Sequence, residues 1–377
     1  QSNTVESQGG AQITEFEVRA NDYEEDRHFF LSHFFRDNYD SYLDQLPVVR
    51  SPVNIQRIEV YVTSRQNETE NIRSLVAFMD LGEIPQDVFN SGLWEPGSAP
   101  TVPNNQANSL YTDVTSGFPQ IRDAGEAPGA FSALATSDNF INSQDYEPLG
   151  RAKLLSPSEY KLNNQLGYIS LDRELAPDEV LAVAYQYTYG GQVYQIGEFS
   201  TDGITGDNAL ILKLLKSTVT NPRVPTWDLM MKNIYNIGAY QVSPENFRLD
   251  IIYDNVEAGT KTNYLNEGSL AGEILLRVCR LDQLNNNNDP FPDGYFDFVD
   301  GTTVNRNNGR IIFPVVEPFG SHLRGSFRSN EAEIADKYVY QQLYDSTKQA
   351  ALQFPELNRF ILGGTYSGDG GDFISLN

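Results

Sequence analysis

A single cysteine, Cys279, stands among the 377 residues, so no disulfide can close within the chain. It follows the apolar run 274–278 (ILLRV) and reads as a buried, inert thiol, because a nucleophile needs a base beside it and no His is near in sequence. Only three His occur, His28, His33 and His322. His28 and His33 are five apart, not the four that align two ligands on one helix face, so they read as solvated or capping residues rather than a metal pair. Basic residues are also scarce: 27 against 51 acidic ones give a net charge of −24. That balance excludes nucleic acid, whose phosphates need a basic face, and electrostatic docking on anionic lipid. The excess acid itself reads as a solubility device. No apolar run approaches the ~18 residues of a membrane helix. The chain opens on Gln1 with no basic start and apolar core, so it reads as a piece of something longer or a processed product rather than a precursor with its leader. The signatures G-x-S-x-G, H-E-x-x-H, G-x-x-x-x-G-K and C-x-x-C are all missing. Carboxylates are plentiful, but no local pattern marks a glycosidase pair. The reading is therefore of a protein that is not an enzyme.

What the chain has in quantity is strand. Hydrophobic residues make up 40% and aromatics 12%, enough for a core and weighted towards β structure. The length suits two or three domains or one large β-rich body. The clearest element is a hairpin: residues 180–188 are rich in β-branched and aromatic side chains, Tyr189-Gly190-Gly191 supplies the turn, and 192–199 run back. Val183, Tyr185 and Tyr187 share one face, yet Val180, Ala182 and Ala184 make the other apolar too, as in a strand covered on both sides. Residues 13–20, 55–63, 247–253, 310–316 and 359–362 read as further strands, with Pro314 marking an edge or a strand end, and 373–376 as a last one after a Gly-rich turn at 366–371. Residues 71–80 read as a short strand or helix, and 271–284 as a helix or a strand plus turn. Two longer helices are expected: 21–46, capped by Asn21 or Asp22 and stopped at Pro47, and 330–354, capped by Ser329 or Asn330 and closed by Pro355. Residues 207–217 (DNALILKLLKS) show a helix-like apolar face. Three short runs, at Gly167, Gly309 and Gly371, repeat a Gly followed by a strand. They read as recurrent strand openings, not a solenoid period.

The expected organisation is an N-terminal helix-plus-strand region (1–80), a long Pro/Asn/Gly-rich loop with at most one short helix (81–149), a β-rich core with the hairpin (150–260), and a region of Asn/Asp loop, strand, helix and C-terminal strands (261–377). A loop as long as 81–149 is unusual inside a domain and suggests a surface-covering or partner-contacting segment, with Trp94 and Phe118 as anchors. The fold class is α+β, β-rich, with mainly antiparallel sheets or a sandwich, a few inserted helices and long loops. Asn67-Glu68-Thr69 fits a glycosylation acceptor, a signal too weak to carry weight.

One segment could hold a ligand. From 281 to 301 (LDQLNNNNDPFPDGYFDFVDG) oxygen-bearing side chains recur along a turn-prone chain. Asp282, Asn287, Asp289, Asp293 and Asp297 are the candidate metal ligands, with Asn285 and Asp300 beside them and Gly294 for a sharp turn. Ca²⁺ takes six to eight such oxygens, and is the candidate cofactor. EF-hand spacing is absent and no Glu closes the loop. The competing reading is an Asn/Asp/Pro turn cluster whose side chains cap local backbone.

Several blocks resemble the SprA/Sov family: 22–39 (DYEEDRHFFLSHFFRDNY), 55–63 (IQRIEVYVT), 166–188 (LGYISLDRELAPDEVLAVAYQYT), 193–203 (VYQIGEFSTDG), 284–301 (LNNNNDPFPDGYFDFVDG), 308–323 (NGRIIFPVVEPFGSHL) and 337–347 (KYVYQQLYDST). They run in family order over most of the chain, with residues 81–149 matching less clearly. Members of that family are giant outer-membrane β-barrels of the Bacteroidetes type IX secretion system, also needed for gliding motility. The resemblance implies that this chain is a non-barrel segment of such a translocon. It would cap the extracellular mouth of the pore at the outer membrane, with the periplasmic face as the alternative. Implied partners are the rest of the same barrel chain, other secretion-system subunits and exported protein cargo, with no nucleic acid and no direct lipid insertion by this segment. The family supplies no catalytic residues. The rival reading is a secreted calcium-dependent carbohydrate-binding or carbohydrate-active β-sandwich.

Overall fold

In a computed structural model of the chain, residues 5–8, 11–64, 70–89, 95–97, 101–137 and 140–367 are described. Trp94, Asn67-Glu68-Thr69, the strand expected at 373–376, most of the Gly-rich turn and the third Gly-strand copy lie outside them. Strand (31%) outweighs helix (20%), and the sheets are mainly antiparallel, as the composition led us to expect. The chain divides into two units: residues 1–25, 39–50 and 232–377 form unit 1, and 26–38 and 51–231 form unit 2.

Unit 2 is built on the hairpin. Strands Leu181–Tyr189 and Gln192–Ile196 pair from Gln192 opposite Tyr189, with Gly190 and Gly191 at φ 58° and 80°, the left-handed region a two-residue turn demands. Leu181–Tyr189 then pairs along its whole length with Val53–Thr63. Its other edge is shared between the hairpin partner and Leu210–Lys216. From there the pairing continues through Ile72–Phe78, the one parallel contact of the series, to Tyr146–Leu154 and back to Val53–Thr63. Five strands therefore close into a ring. Each contributes to one buried cluster, with Tyr61, Leu75, Ala77, Ala152, Ala182, Ala184, Leu212 and Leu214 among its members. A ring this small leaves room for little more than alanine at several positions, which explains the alanines that blur the alternation of 180–188. The opposite face of the same strand is covered as well: Phe35 meets Tyr185 and Tyr187 at 6.0 and 5.9 Å between ring centroids. The sandwich alternative thus gives way, in this unit, to a closed ring with a filled interior.

Residues 207–217 form a strand, not a helix. The run Leu210–Lys216 is buried at every position, so no polar face remains to reveal a period of two, and continuous apolarity mimics a helical stripe. The helix expected over 21–46 is confined to His33–Tyr42. Residues His28–Phe30 instead form a strand against Tyr168–Leu171, because that pairing satisfies their backbone while burying Phe29 and Phe30. Region 81–149 holds more helix than expected, at Leu110–Gly117 and Ala127–Ser137. The second is spelled APGAFSALATS, whose Gly, Pro and Ser hide an alanine-rich helix.

Unit 1 centres on Phe360–Ser367, flanked antiparallel by Ala11–Arg19 and Arg248–Asn255, with Val5–Gln8 and Thr260–Thr262 outermost. A second sheet sets Arg310–Ile312 between Ile234–Asn236 and Val304–Asn305. That strand is central rather than an edge, and it ends before Pro314, where a missing N–H does no harm. The long helix expected over 330–354 is three short ones, Ala332–Tyr338, Gln342–Asp345 and Lys348–Ala351. The break falls at Val339-Tyr340, where the Tyr340 N–H donates to the Phe319 carbonyl (2.8 Å) and its hydroxyl to that of Ala351 (2.9 Å). These tertiary bonds replace the helical ones. Only the last helix has a side-chain N-cap, Thr347 accepting from the Ala350 N–H. Residues 271–284 yield a single turn, Leu275–Val278. The core holds Tyr235, Phe313, Phe319, Tyr344 and Phe360, with Phe319 stacked on Phe360 at 4.6 Å.

Both described Gly-strand copies have a physical reason. Gly167 sits at φ +67° and a Cβ there would lie 2.3 Å from the Phe35 ring; Gly309 sits at φ +60° with the Ala239 carbonyl oxygen 2.6 Å from the same point.

Candidate functional site

The Asn/Asp loop, in unit 1, spends its carboxylates on its own backbone. Asp282 is buried and accepts from the N–H groups of Asp293 (2.9 Å) and Gly294 (3.2 Å), and from the Arg277 guanidinium (3.0 Å). Asp297 accepts from the N–H groups of Gln283 (2.6 Å) and Leu284 (3.2 Å). Burial pushes its carboxyl up to about 6, with those two N–H groups pulling the other way. Asp293 accepts from the Tyr295 N–H (3.1 Å) and Asp289 from the Asn285 amide (3.3 Å). The Asn287 N–H donates to the Asn285 side chain (2.8 Å). The structure thus brings Asp282, Asp293 and Asp297 to one loop as acceptors for N–H groups. Among the described residues no group of three or more His, Cys, Asp or Glu is placed to hold a metal. A cation here would have to displace these caps. Isothermal titration of Ca²⁺ into the wild type and a D289A/D293A variant is expected to give no saturable heat with either. Saturable heat that only the double variant loses would establish the loop as a calcium site.

Unit 2 also buries a cluster of charged groups. Lys213 projects from the ring strand Leu210–Lys216, fully buried, and its ammonium lies 2.7 Å from Glu83 Oε1, which is equally buried; it also donates to the Met79 carbonyl. His33 Nδ1 lies 3.1 Å from the same carboxylate oxygen and its Nε2 donates to the Pro225 carbonyl (2.9 Å). Burial disfavours a charged Glu83, but Lys213 first and His33 next hold its carboxyl down at about 2. Burial likewise opposes a charged His33, and Glu83 overrides it, raising the imidazole. Nearby, burial and the negative charges of Glu83 and Asp37 push Asp87 up to about 7. His28 is buried, its Nδ1 2.7 Å from Ser170 Oγ. The solvated reading of His28 and His33 is therefore corrected: a strand register and a buried carboxylate draw both inside. The one sequence sign of the cluster was a lysine inside an otherwise apolar run; nothing near Glu83 announced it.

A second buried carboxylate, Glu198, fastens region 81–149 to the ring. Arg122 grips it with both terminal nitrogens (2.8 and 2.5 Å), Tyr111 donates its hydroxyl (2.8 Å), and the Ile211 N–H completes the set (2.8 Å). Asn105 exchanges bonds with Gly197, donating from its side chain (3.3 Å) and accepting from the backbone N–H (2.9 Å). Tyr187 donates to the Pro103 carbonyl (2.6 Å). These groups are arranged to hold a segment in place, and both Glu198 oxygens already accept from donors. In unit 1, Cys279 is free and buried, and burial drives its thiol far above the usual range, as an inert thiol requires. His322 Nε2 donates to the Val278 carbonyl (2.8 Å).

No helix among the described residues is long and apolar enough to cross a membrane. Residues 1–170 match the family model SprA_N, described as motility related/secretion protein. A comparison with curated proteins gives no match.

Proposed function

Through residues 1–170 the chain belongs to the SprA family of motility- and secretion-related proteins, and from that premise we propose that it is a non-catalytic region of an outer-membrane protein-secretion translocon, capping the extracellular mouth of the pore. The family match is the observation that carries the reading. The architecture supports it in two ways. The ring of unit 2 has five strands and an interior filled by side chains such as Ala182, Ala184 and Leu212, whereas lipid-spanning barrels have eight strands or more and an apolar outer band. The buried ion pairs and amide contacts of unit 2 tie a long covering segment to a rigid body, which suits a part that shapes and closes rather than one that turns over substrate. Its partners would be the barrel of the same chain, other secretion-system subunits and the cargo that passes.

Labelling in cells tests the placement. Ser116 is exposed on helix Leu110–Gly117, and the chain's own Cys279 is buried, so Ser116→Cys in the parent protein adds an exposed thiol to a segment whose own cysteine is shielded. A membrane-impermeant maleimide is expected to label intact cells carrying the variant and not the parent. Labelling that needs a permeabilised outer membrane would overturn the extracellular cap and place the segment on the periplasmic side.

A further inference from the structure

The Asn/Asp loop forms one wall of a groove in unit 1 that none of the roles above uses. Its volume is about 620 Å³, inside the range of about 300–1,000 Å³ usual for small-ligand sites. One wall is aromatic. Phe247 packs against Phe296 and Phe298 at 5.4 and 5.3 Å between centroids, and Tyr295 stands at the rim, 57% exposed. The Arg248 guanidinium lies 5.8 Å from the Tyr295 ring centroid, and among the described residues it makes no salt bridge. Asn286, Asn288 and Asp293 also line the groove, and Asp293 gives one oxygen, Oδ1, to the Tyr295 N–H.

We propose that this groove binds a neutral oligosaccharide. A sugar ring has one face of C–H groups, which stacks on an exposed phenol, and hydroxyls that both donate and accept. Carboxamides are the side chains that answer with both roles at once, a carboxylate adds acceptors and a guanidinium adds a planar set of donors. Tyr295 held beneath Arg248 is a platform already oriented for stacking. The net charge of −24, with Asp293 at the rim, opposes a polyanionic glycan. The proposal is independent of the translocon reading.

Calorimetric titration of the 377-residue chain with oligosaccharides of glucose, mannose and N-acetylglucosamine tests it, with a polyuronate and an extended peptide as comparators. Saturable binding of at least one neutral oligosaccharide is expected. Tyr295→Ala should weaken it at least tenfold and Arg248→Met several-fold. Tyr240→Ala, which removes an exposed aromatic outside the groove, should leave it unchanged. Both groove residues are exposed, so circular dichroism and melting of the variants should match the wild type. Three results would overturn the proposal: no saturable binding across the panel, equal weakening by Tyr240→Ala, or tighter binding of the polyuronate or the peptide.

Discussion

Replacing Lys213 with Met is expected to destabilise unit 2 by about 3–5 kcal/mol, the usual cost of breaking a buried ion pair from one side. Glu83 cannot turn to water, because both partners are fully buried, and its Oε2 already lacks a hydrogen-bond partner among the described residues. Only His33 would remain to compensate the charge. Adding Glu83→Gln should recover much of the loss, since it removes the stranded charge while keeping an acceptor for His33. Urea unfolding followed by tryptophan fluorescence reads the effect in the right place, as Trp227 belongs to the unit 2 span. A loss below about 1 kcal/mol, the level of an exposed pair, would show that the cluster is not the closed ion pair drawn here. Acid gives a second reading. With Glu83 held at about 2 against the usual 4.5, its contribution is complete above pH 4.5 and is lost as pH falls from there towards 2. That acid limb should shrink in the E83Q variant.

The sequence announced strands better than helices, and the reason is visible at particular residues. Strand Val53–Thr63 alternates polar and apolar along Ile58, Val60 and Val62, and the hairpin carries its two glycines, so both were legible locally. Leu210–Lys216 was not, because both its faces are covered and no period survives. The stretches 21–46 and 330–354 had aromatic residues at helical spacing, yet Phe29, Phe30 and Tyr340 are claimed by partners more than a hundred residues away or in another loop, as with the Phe319 carbonyl that takes the Tyr340 N–H. The Asn/Asp loop stands out by composition, and that composition serves its own turns: Asp282, Asp289, Asp293 and Asp297 each give at least one oxygen to an N–H or a side chain of the same segment. Glu83 and Lys213 are 130 positions apart in sequence and meet only because Ile72–Phe78 and Leu210–Lys216 lie side by side in the ring. Such a pair has no local signature. The family resemblance, by contrast, needed no geometry, only the order of blocks.

The second large effect concerns the fastening of region 81–149. Replacing Arg122 with Met should cost about 3 kcal/mol, the lower end of the range for a one-sided break of a buried pair, because Glu198 would keep only Tyr111 and the Ile211 N–H. The two partners are not equivalent. Arg122 retains 18% side-chain exposure and Glu198 only 5%, so a stranded arginine can reach water and a stranded glutamate cannot. Glu198→Gln is therefore expected to cost less than Arg122→Met, whereas equivalent partners would give equal costs. The damage should also be local. Arg122 sits where the segment meets the ring: its guanidinium donates to the Ala209 carbonyl (2.9 Å), its own carbonyl accepts the Ala209 N–H (2.9 Å), and Asp123 bridges to Asn208. Freed of the ion pair, helices Leu110–Gly117 and Ala127–Ser137 have few other charged anchors, and segments with few anchors open first. Hydrogen exchange should accordingly show protection lost across residues 110–137 while the ring strands Leu181–Tyr189 and Val53–Thr63 keep theirs. Unchanged exchange over 110–137 would mean that the segment is held by its apolar contacts, such as Leu110, Val114 and Ile121 buried against the body, and that Arg122 and Glu198 only follow the packing.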